Sequence, residues 1–284
     1  MKTGLVLEGG AFRTIFSAGV CDAFLDLDLP LPDYLVGVSA GIAYGVSYLS
    51  RQSRRNLQIL TQYRGDRRYM GMNNFFDPEN RSYFGLKFVY ETVPEELLPF
   101  DYDTFQAWPG TAEAVVTNLR TGQAEYHKVP AERGECKLIE ASCALPILFP
   151  IIHLDGEPYL DGGCADGIPW ERAFAVGCDR VVVVLTRERS YARQTERMLP
   201  FIRRHYREYP NFVNTLERRV EQYNRSREEL FRLEQEGKVL VITPESTEGF
   251  SRTERDLEKI RALWQDGYFQ ARRRADEVRA FWQQ

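Results

Sequence analysis

Ser39 stands in Gly37-Val38-Ser39-Ala40-Gly41, after the apolar run Tyr34-Leu35-Val36 and before a helical pattern. A serine on a tight strand-to-helix turn needs small neighbours, which Gly37 and Gly41 supply, and it projects an exposed hydroxyl at a helix N-terminus. That is the setting of an acyl-transfer nucleophile. The pentapeptide alone is short enough to arise by chance, so its strand–turn–helix frame carries the reading. Small residues continue at Ala40, Ala43 and Gly45, which lets the following helix lie close to a sheet. A second feature is Glu8-Gly9-Gly10-Ala11-Phe12-Arg13, between an apolar run and a helical pattern. Consecutive glycines there can aim several N–H groups at one point, as an oxyanion requires. The spacing fails both GxGxxG and the P-loop pattern, so a nucleotide site is not expected. A tight turn without a ligand explains the loop equally well.

An activated serine needs a base. The chain has three histidines, His127, His153 and His205. Only His205 is late enough for the usual triad order, and it sits among Arg203, Arg204 and Arg207, whose field disfavours its protonation. It reads as part of a solvated helix face. Three scattered histidines make no metal site. A carboxylate can act directly: Tyr159-Leu160-Asp161-Gly162-Gly163 puts an acid at a strand end beside glycines that permit a tight turn. Asp155-Gly156 and Asp166-Gly167 show the same pairing, and most Asp-Gly pairs are simply turns.

These residues must be positioned by elements. Residues 4–7, 34–38, 114–117, 181–185 and 239–242 are the strand candidates, apolar on both faces and separated by helical patterns, as in a covered parallel sheet. Residues 114–120 and 123–128 flank Thr121-Gly122 as a hairpin on that sheet. The expected fold is α/β, a mostly parallel central sheet sandwiched by helices with a C-terminal helical appendage. Residues 14–27 look helical. Residues 69–108 are rich in aromatics (Phe75, Phe76, Tyr83, Phe84, Phe88, Tyr90), which fill a core, line an acyl pocket or form a cap, the core being favoured. Arg51, Arg54, Arg55, Arg64, Arg67 and Arg68 form either a face for anionic lipid head groups, hence peripheral membrane contact, or a solvated helix surface. Residues 188–237 are long, helical and charged. Ser251-Arg252-Thr253-Glu254 reads as a capping box opening two helices broken at Gly267.

Three blocks in order, with a fourth between them, resemble the patatin-like phospholipases, serine acyl hydrolases that use a Ser–Asp dyad. Gly9-Gly10-Ala11-Phe12-Arg13 resembles the oxyanion motif. Gly37-Val38-Ser39-Ala40-Gly41 matches the nucleophile elbow, and Asp161-Gly162-Gly163 matches the block that carries the dyad aspartate. Residues 141–150 look like the stretch between elbow and aspartate. The resemblance covers residues 4–185, and the C-terminal helices look similar to the extension of bacterial members. It implies Ser39 as nucleophile, Asp161 as base, and an oxyanion hole from Gly9, Gly10, Ala11 and Arg13. It implies hydrolysis of lipid acyl esters through an acyl-enzyme, without metal or cofactor. Acyl transfer by the same dyad, or a lipid-binding module with little turnover, are the alternatives. Ala11 replaces the usual third glycine, and its N–H serves if its φ is negative. Thr14 replaces the next glycine and is placed to cap the helix.

At 284 residues, the chain can bury a large core. Boundaries are expected at 1–186 for the catalytic core, 187–250 for a helical insertion plus closing strand, and 251–284 for the appendage. A net charge of -4 argues against nucleic acid as a partner. Five cysteines without CxxC spacing suit reduced thiols. The longest apolar run, residues 145–154, is far short of a membrane span, and glycines end the N-terminal apolar stretch too early for a signal peptide. A cytoplasmic location is expected. The oligomeric state is not legible.

Overall fold

The apolar β-branched runs become strands of one eight-stranded sheet. The computed structural model describes residues 1–194 and 199–283. Strands β1 (Thr3–Leu7), β2 (Tyr34–Val38), β3 (Thr111–Asn118), β4 (Ala124–Lys128), β5 (Ile152–Leu154), β6 (Glu157–Asp161), β7 (Arg180–Val184) and β8 (Val239–Ile242) supply it. Neighbours β8, β7, β1, β2 and β3 run parallel, while β4 and β6 pair antiparallel with β3, and β5 with β6. The expected α/β architecture is the observed one. The chain steps from β1 outward to β2 and β3, then returns to add β7 on the other flank of β1. The carboxyl ends of β1 and β7 therefore form a topological switch point, where open α/β sheets place their ligands.

Strand β3 explains how distant parts of the chain meet. Its residues 113–117 pair with β4 along one edge. Its remaining partners overlap that stretch, so both take the other edge: β2 covers 111–115 and β6 covers 116–118. Val38 ends β2 opposite Val115, and Asp161 ends β6 opposite Val116. Two strands thus abut end to end, bringing residue 39 beside residue 161.

Helices cover both faces. On one lie α1 (Ile15–Asp26), α2 (Ala40–Leu49), α3 (Arg55–Tyr63), α4 (Tyr102–Ala107) and α5 (Lys137–Cys143); α6 (Trp170–Ala175) packs on the other. Helix α7 (Leu199–His205) precedes α8 (Pro210–Gln235), whose Tyr223, Leu230 and Leu233 join the second face. Residues 195–198 of the expected helical stretch lie outside the described residues. His205 is exposed on α7, on the solvated face expected for it.

Helix α1 is apolar all round because it is covered twice, by the sheet and by α9 (Leu257–Arg273), before α10 (Ala275–Gln283) closes the chain. The expected break at Gly267 is not there: α9 runs through it unbroken. That glycine sits where α9 crosses α1, and a Cβ on it would lie 2.1 Å from the Phe16 carbonyl oxygen. Gly19 answers on α1, where a Cβ would lie 2.0 Å from the Trp264 carbonyl oxygen. The pair permits backbone contact rather than ending a helix. The expected capping box is also corrected. Glu254 accepts from the Ser251 N–H at 3.1 Å, but the helix cap is Asp256, which accepts from the Glu258 and Lys259 N–H groups. Among the described residues, no helix is long and apolar enough to cross a membrane.

Of the arginine run, Arg55 is buried and donates to the Leu98 carbonyl at 2.8 Å, while Arg54 and Arg68 pair with Asp26 and Asp66.

Candidate active site

Ser39 occupies the turn between β2 and α2 with φ 55 and ψ -130, a conformation costing about 1–3 kcal/mol for a residue with a side chain. Packing on every side enforces it. A Cβ on Gly37 would lie 2.5 Å from the Ile42 nitrogen, and one on Gly41 would lie 2.4 Å from the Leu7 carbonyl oxygen. The Ser39 N–H donates to Ser142 Oγ at 2.9 Å, whose own hydroxyl donates to the Val115 carbonyl at 2.7 Å. Ser142, fully buried on α5, therefore ties the turn to β3. Sequence reasoning saw its block without seeing this role. Ser39 is 7 % exposed.

Asp161 is 3 % exposed. Its N–H donates to the Ala144 carbonyl at 2.8 Å, and its Oδ1 accepts the Gly163 N–H at 2.8 Å. Gly162 is needed because a Cβ there would lie 2.2 Å from the Val115 carbonyl oxygen, so the loop can hug β3. Oδ2 is buried, with no hydrogen-bond partner among the described residues. The Ser39 hydroxyl stands near enough to hold the carboxyl's pKa down. Burial dominates and raises the pKa above the ordinary aspartate value, while Ser39, Arg219 and the Gly163 N–H oppose it. Resting catalytic hydrogen bonds are often long and tighten with substrate. The Cys143 thiol also borders Ser39, and burial pushes its pKa up to about 12, so it stays protonated.

The glycine loop follows β1 and lies against both neighbours. A Cβ on Gly9 would lie 2.8 Å from the Val38 carbonyl oxygen, and one on Gly10 would lie 2.7 Å from Thr186 Oγ1. The N–H groups of Gly9, Gly10, Ala11 and Ala40 donate to no acceptor among the described residues. The condition set for Ala11, a negative φ, is not met: its φ is 49. A glycine would take that left-handed conformation freely, so Ala11 stores strain in the loop. Thr14 makes no capping hydrogen bond, because a short 3-10 turn, Ala11–Thr14, precedes α1 and buries its hydroxyl without a partner. Arg13 is largely buried, its Nε without a hydrogen bond, and burial together with Arg187 and Arg252 lowers its pKa to about 10.

Supports from far along the chain were not anticipated. Glu8, buried, accepts from the Thr186 N–H at 2.6 Å, the Thr186 hydroxyl and the Tyr223 hydroxyl, tying β1, β7 and α8 together under the loop. Arg219 Nε donates to the Gly163 carbonyl at 2.6 Å and so braces the aspartate loop from α8. Nothing local in the sequence marks either contact.

Ser39 opens on two cavities. The larger, about 170 Å³, is walled by side chains such as Ala43, Tyr69, Phe84, Tyr90 and Phe149. The aromatic stretch is divided: Phe84 and Tyr90 line this cavity, Phe88 is buried against Tyr63, and Phe76 is 82 % exposed. The smaller, about 50 Å³, holds Glu8, Arg13, Asp161, Arg219 and Arg252.

A family model described as patatin-like phospholipase matches residues 5–174, and one described as a domain of unknown function (DUF6363) matches residues 209–283. The uncharacterized protein YjjU of Escherichia coli is 28% identical over 192 residues, which is 65% of this chain and 52% of that protein. Lysophospholipase nte1 of Aspergillus niger is 27% identical over 194 residues, 64% of this chain and 12% of that protein. The match thus spans about half of one curated relative and a small part of the other. The crystal structure of VipD from Legionella pneumophila aligns over 97% of this chain and 67% of that one, with TM-score 0.47 and 13% identity.

Proposed function

The chain belongs to the patatin-like phospholipase family, and we propose that it hydrolyses lipid acyl esters with Ser39 as nucleophile and Asp161 as base. The observation that carries this reading is the abutment of β2 and β6 on β3, which sets a strained serine against a buried carboxylate at the mouth of an apolar cavity. The acyl chain lies in that cavity, with the ester carbonyl at Ser39. Asp161 takes the hydroxyl proton as Oγ bonds to the carbonyl carbon. The oxyanion is met by N–H groups of Gly9, Gly10 and Ala40, and by that of Ala11, which lies in the peptide plane it shares with Gly10 and so stays a donor at positive φ, with Arg13 adding positive potential. Collapse breaks the ester C–O bond, and the proton on Asp161 passes to the departing alcohol. Water then attacks the acyl-serine, gives its proton to Asp161, and releases the fatty acid as Ser39 recovers its hydrogen. The likeness to proteins named lysophospholipase supports a lipid ester as substrate. On the same reading residues 1–186 form the catalytic core, 187–250 an insertion with the closing strand, and 251–284 the helical appendage.

Ser39→Ala and Asp161→Asn should each lower hydrolysis of p-nitrophenyl esters by at least about a thousandfold, with unchanged circular dichroism. A fluorophosphonate probe should label Ser39 alone. Residual activity within tenfold of wild type in either variant overturns the dyad.

A further inference from the structure

The two cavities meet at Ser39, so an ester seated there sends its acyl chain one way and its alcohol the other. The apolar cavity suits the chain. The alcohol then faces the smaller chamber, whose lining is of a different chemistry: Arg13, Arg193, Arg219 and Arg252 against the carboxylates of Glu8 and Asp161. Glu8 already accepts from Thr186 and Tyr223. Arg13 Nε is buried without a hydrogen bond among the described residues, and burial first, then the nearby Arg187 and Arg252, depresses its pKa. Guanidinium groups crowded in this way repel one another, and an anion between them relieves that cost.

The arginines are placed from two directions. Arg13 comes from the glycine loop. Arg219 and Arg252 lie beyond residues 5–174, on the part of the chain matched as a domain of unknown function. Each is anchored to a catalytic loop. The Phe12 N–H donates to the Arg252 carbonyl at 3.1 Å, and Arg219 Nε donates to the Gly163 carbonyl at 2.6 Å. The C-terminal third therefore reaches into the site and sets the polarity of its alcohol side.

We propose that this chamber is an anion subsite, built jointly by the glycine loop and the C-terminal region, that holds a phosphate monoester on the leaving alcohol. Guanidinium forks match phosphate oxygens, whereas a quaternary ammonium head group would meet like charge. A chamber of about 50 Å³ also suits a compact anion. The substrate class that follows is a fatty acyl ester of a glycerol phosphate, favoured over a neutral acylglycerol and over its choline ester. The substrate part of this inference rests on the esterase reading, but the binding part does not.

The test uses the full chain in phosphate-free buffer. Binding of sn-glycerol 3-phosphate is measured by calorimetry on the Ser39→Ala protein, with and without Arg252→Gln or Arg252→Lys. In parallel, kcat/KM of the Ser39 protein is compared for 1-acylglycerol 3-phosphate and 1-acylglycerol. Losing one charged hydrogen-bonding partner should weaken glycerol phosphate binding about tenfold or more, less for Arg252→Lys. Arg252→Gln should lower the kcat/KM ratio by a similar factor, while Arg261→Gln on exposed α9 surface leaves both readouts unchanged. Absence of binding, or binding and a ratio indifferent to Arg252→Gln, overturns the proposal. Inorganic phosphate binding as well as glycerol phosphate, with a ratio near one, makes the chamber a free-phosphate site and also overturns it. Arg252-dependent glycerol phosphate binding in a protein that hydrolyses no ester upholds the anion subsite and removes the hydrolase reading instead.

Discussion

At the scale of single residues, the decisive quantity is the proton affinity of Asp161. Burial raises its pKa, and Arg219 is among the groups that restrain the rise. A base must be ionised to accept the Ser39 proton, so kcat/KM should fall as pH drops through that raised value. The acid limb should therefore lie above about 3.9, the ordinary aspartate value. Arg219→Gln removes a cation that favours the carboxylate, so the limb should move to higher pH, which a merely structural brace would not do. A limb that stays in place in this variant would detach Arg219 from the chemistry. The sign for stability is opposite to that of a salt-bridged carboxylate. The folded chain holds this proton more tightly than the unfolded one, and the stability it contributes is lost as pH rises through the folded pKa. Much of the site could be read at this scale, because the serine turn and the aspartate loop advertise themselves through glycines that small local spaces demand. Ser142 and Arg219 could not. Each reaches a loop more than 50 residues away through a hydrogen bond, and no spacing in the sequence encodes that. Ala11 differs again: an alanine favours negative φ, but the loop imposes the glycine-like conformation on it.

At the scale of elements, the crossing of α1 and α9 depends on the absence of two methyl groups. In an isolated helix, Gly267→Ala would help by about 1 kcal/mol. At this crossing, the new Cβ would lie 2.1 Å from a backbone oxygen, which no side-chain rotation can relieve. Forcing the helices apart costs about 1–3 kcal/mol and loosens the contacts around the crossing, so the overpacking outweighs the propensity gain. The urea midpoint of Gly267→Ala should fall accordingly with m unchanged; a rise would mean that α9 can shift off α1 cheaply. The same glycine shows what period and propensity can and cannot yield. The runs of residues 34–38 and 181–185 announced strands because they are apolar on both faces, and the helical periodicity around Gly267 was visible too. Its glycine reads as a breaker, since a glycine demanded by a partner helix looks the same in one dimension as a glycine that ends a helix. Strand β5 went unannounced for a related reason: its three residues, Ile152–Leu154, are too few to show a period.

At the scale of the whole molecule, the C-terminal helices pack on the core that carries the site. Strand β8 extends the parallel sheet beyond β7, α9 lies on α1, and Trp282 of α10 packs edge-on against Phe24 at 6.0 Å. Detaching residues 257–283 would expose Ile260, Leu263, Val278 and Trp282, all buried, and would uncover the outer side of α1. At about 1.5–3 kcal/mol for each such side chain, these four alone account for about 6–12 kcal/mol, an upper range because unfolded chains already bury part of this surface. That is comparable to the entire stability of a typical domain, about 5–15 kcal/mol. A partial opening that releases only these helices therefore saves little over complete unfolding, and the two should coincide. Native-state hydrogen exchange in rising urea tests this. The slowest amides of α9 should share the opening free energy and the urea dependence of those in β1, because both report the same global event. If α9 exchanged with a markedly smaller free energy and a shallow slope, the helices would open on their own. Arg252 would then be carried by a separately mobile segment, and the chamber beside Ser39 would lose its fixed shape.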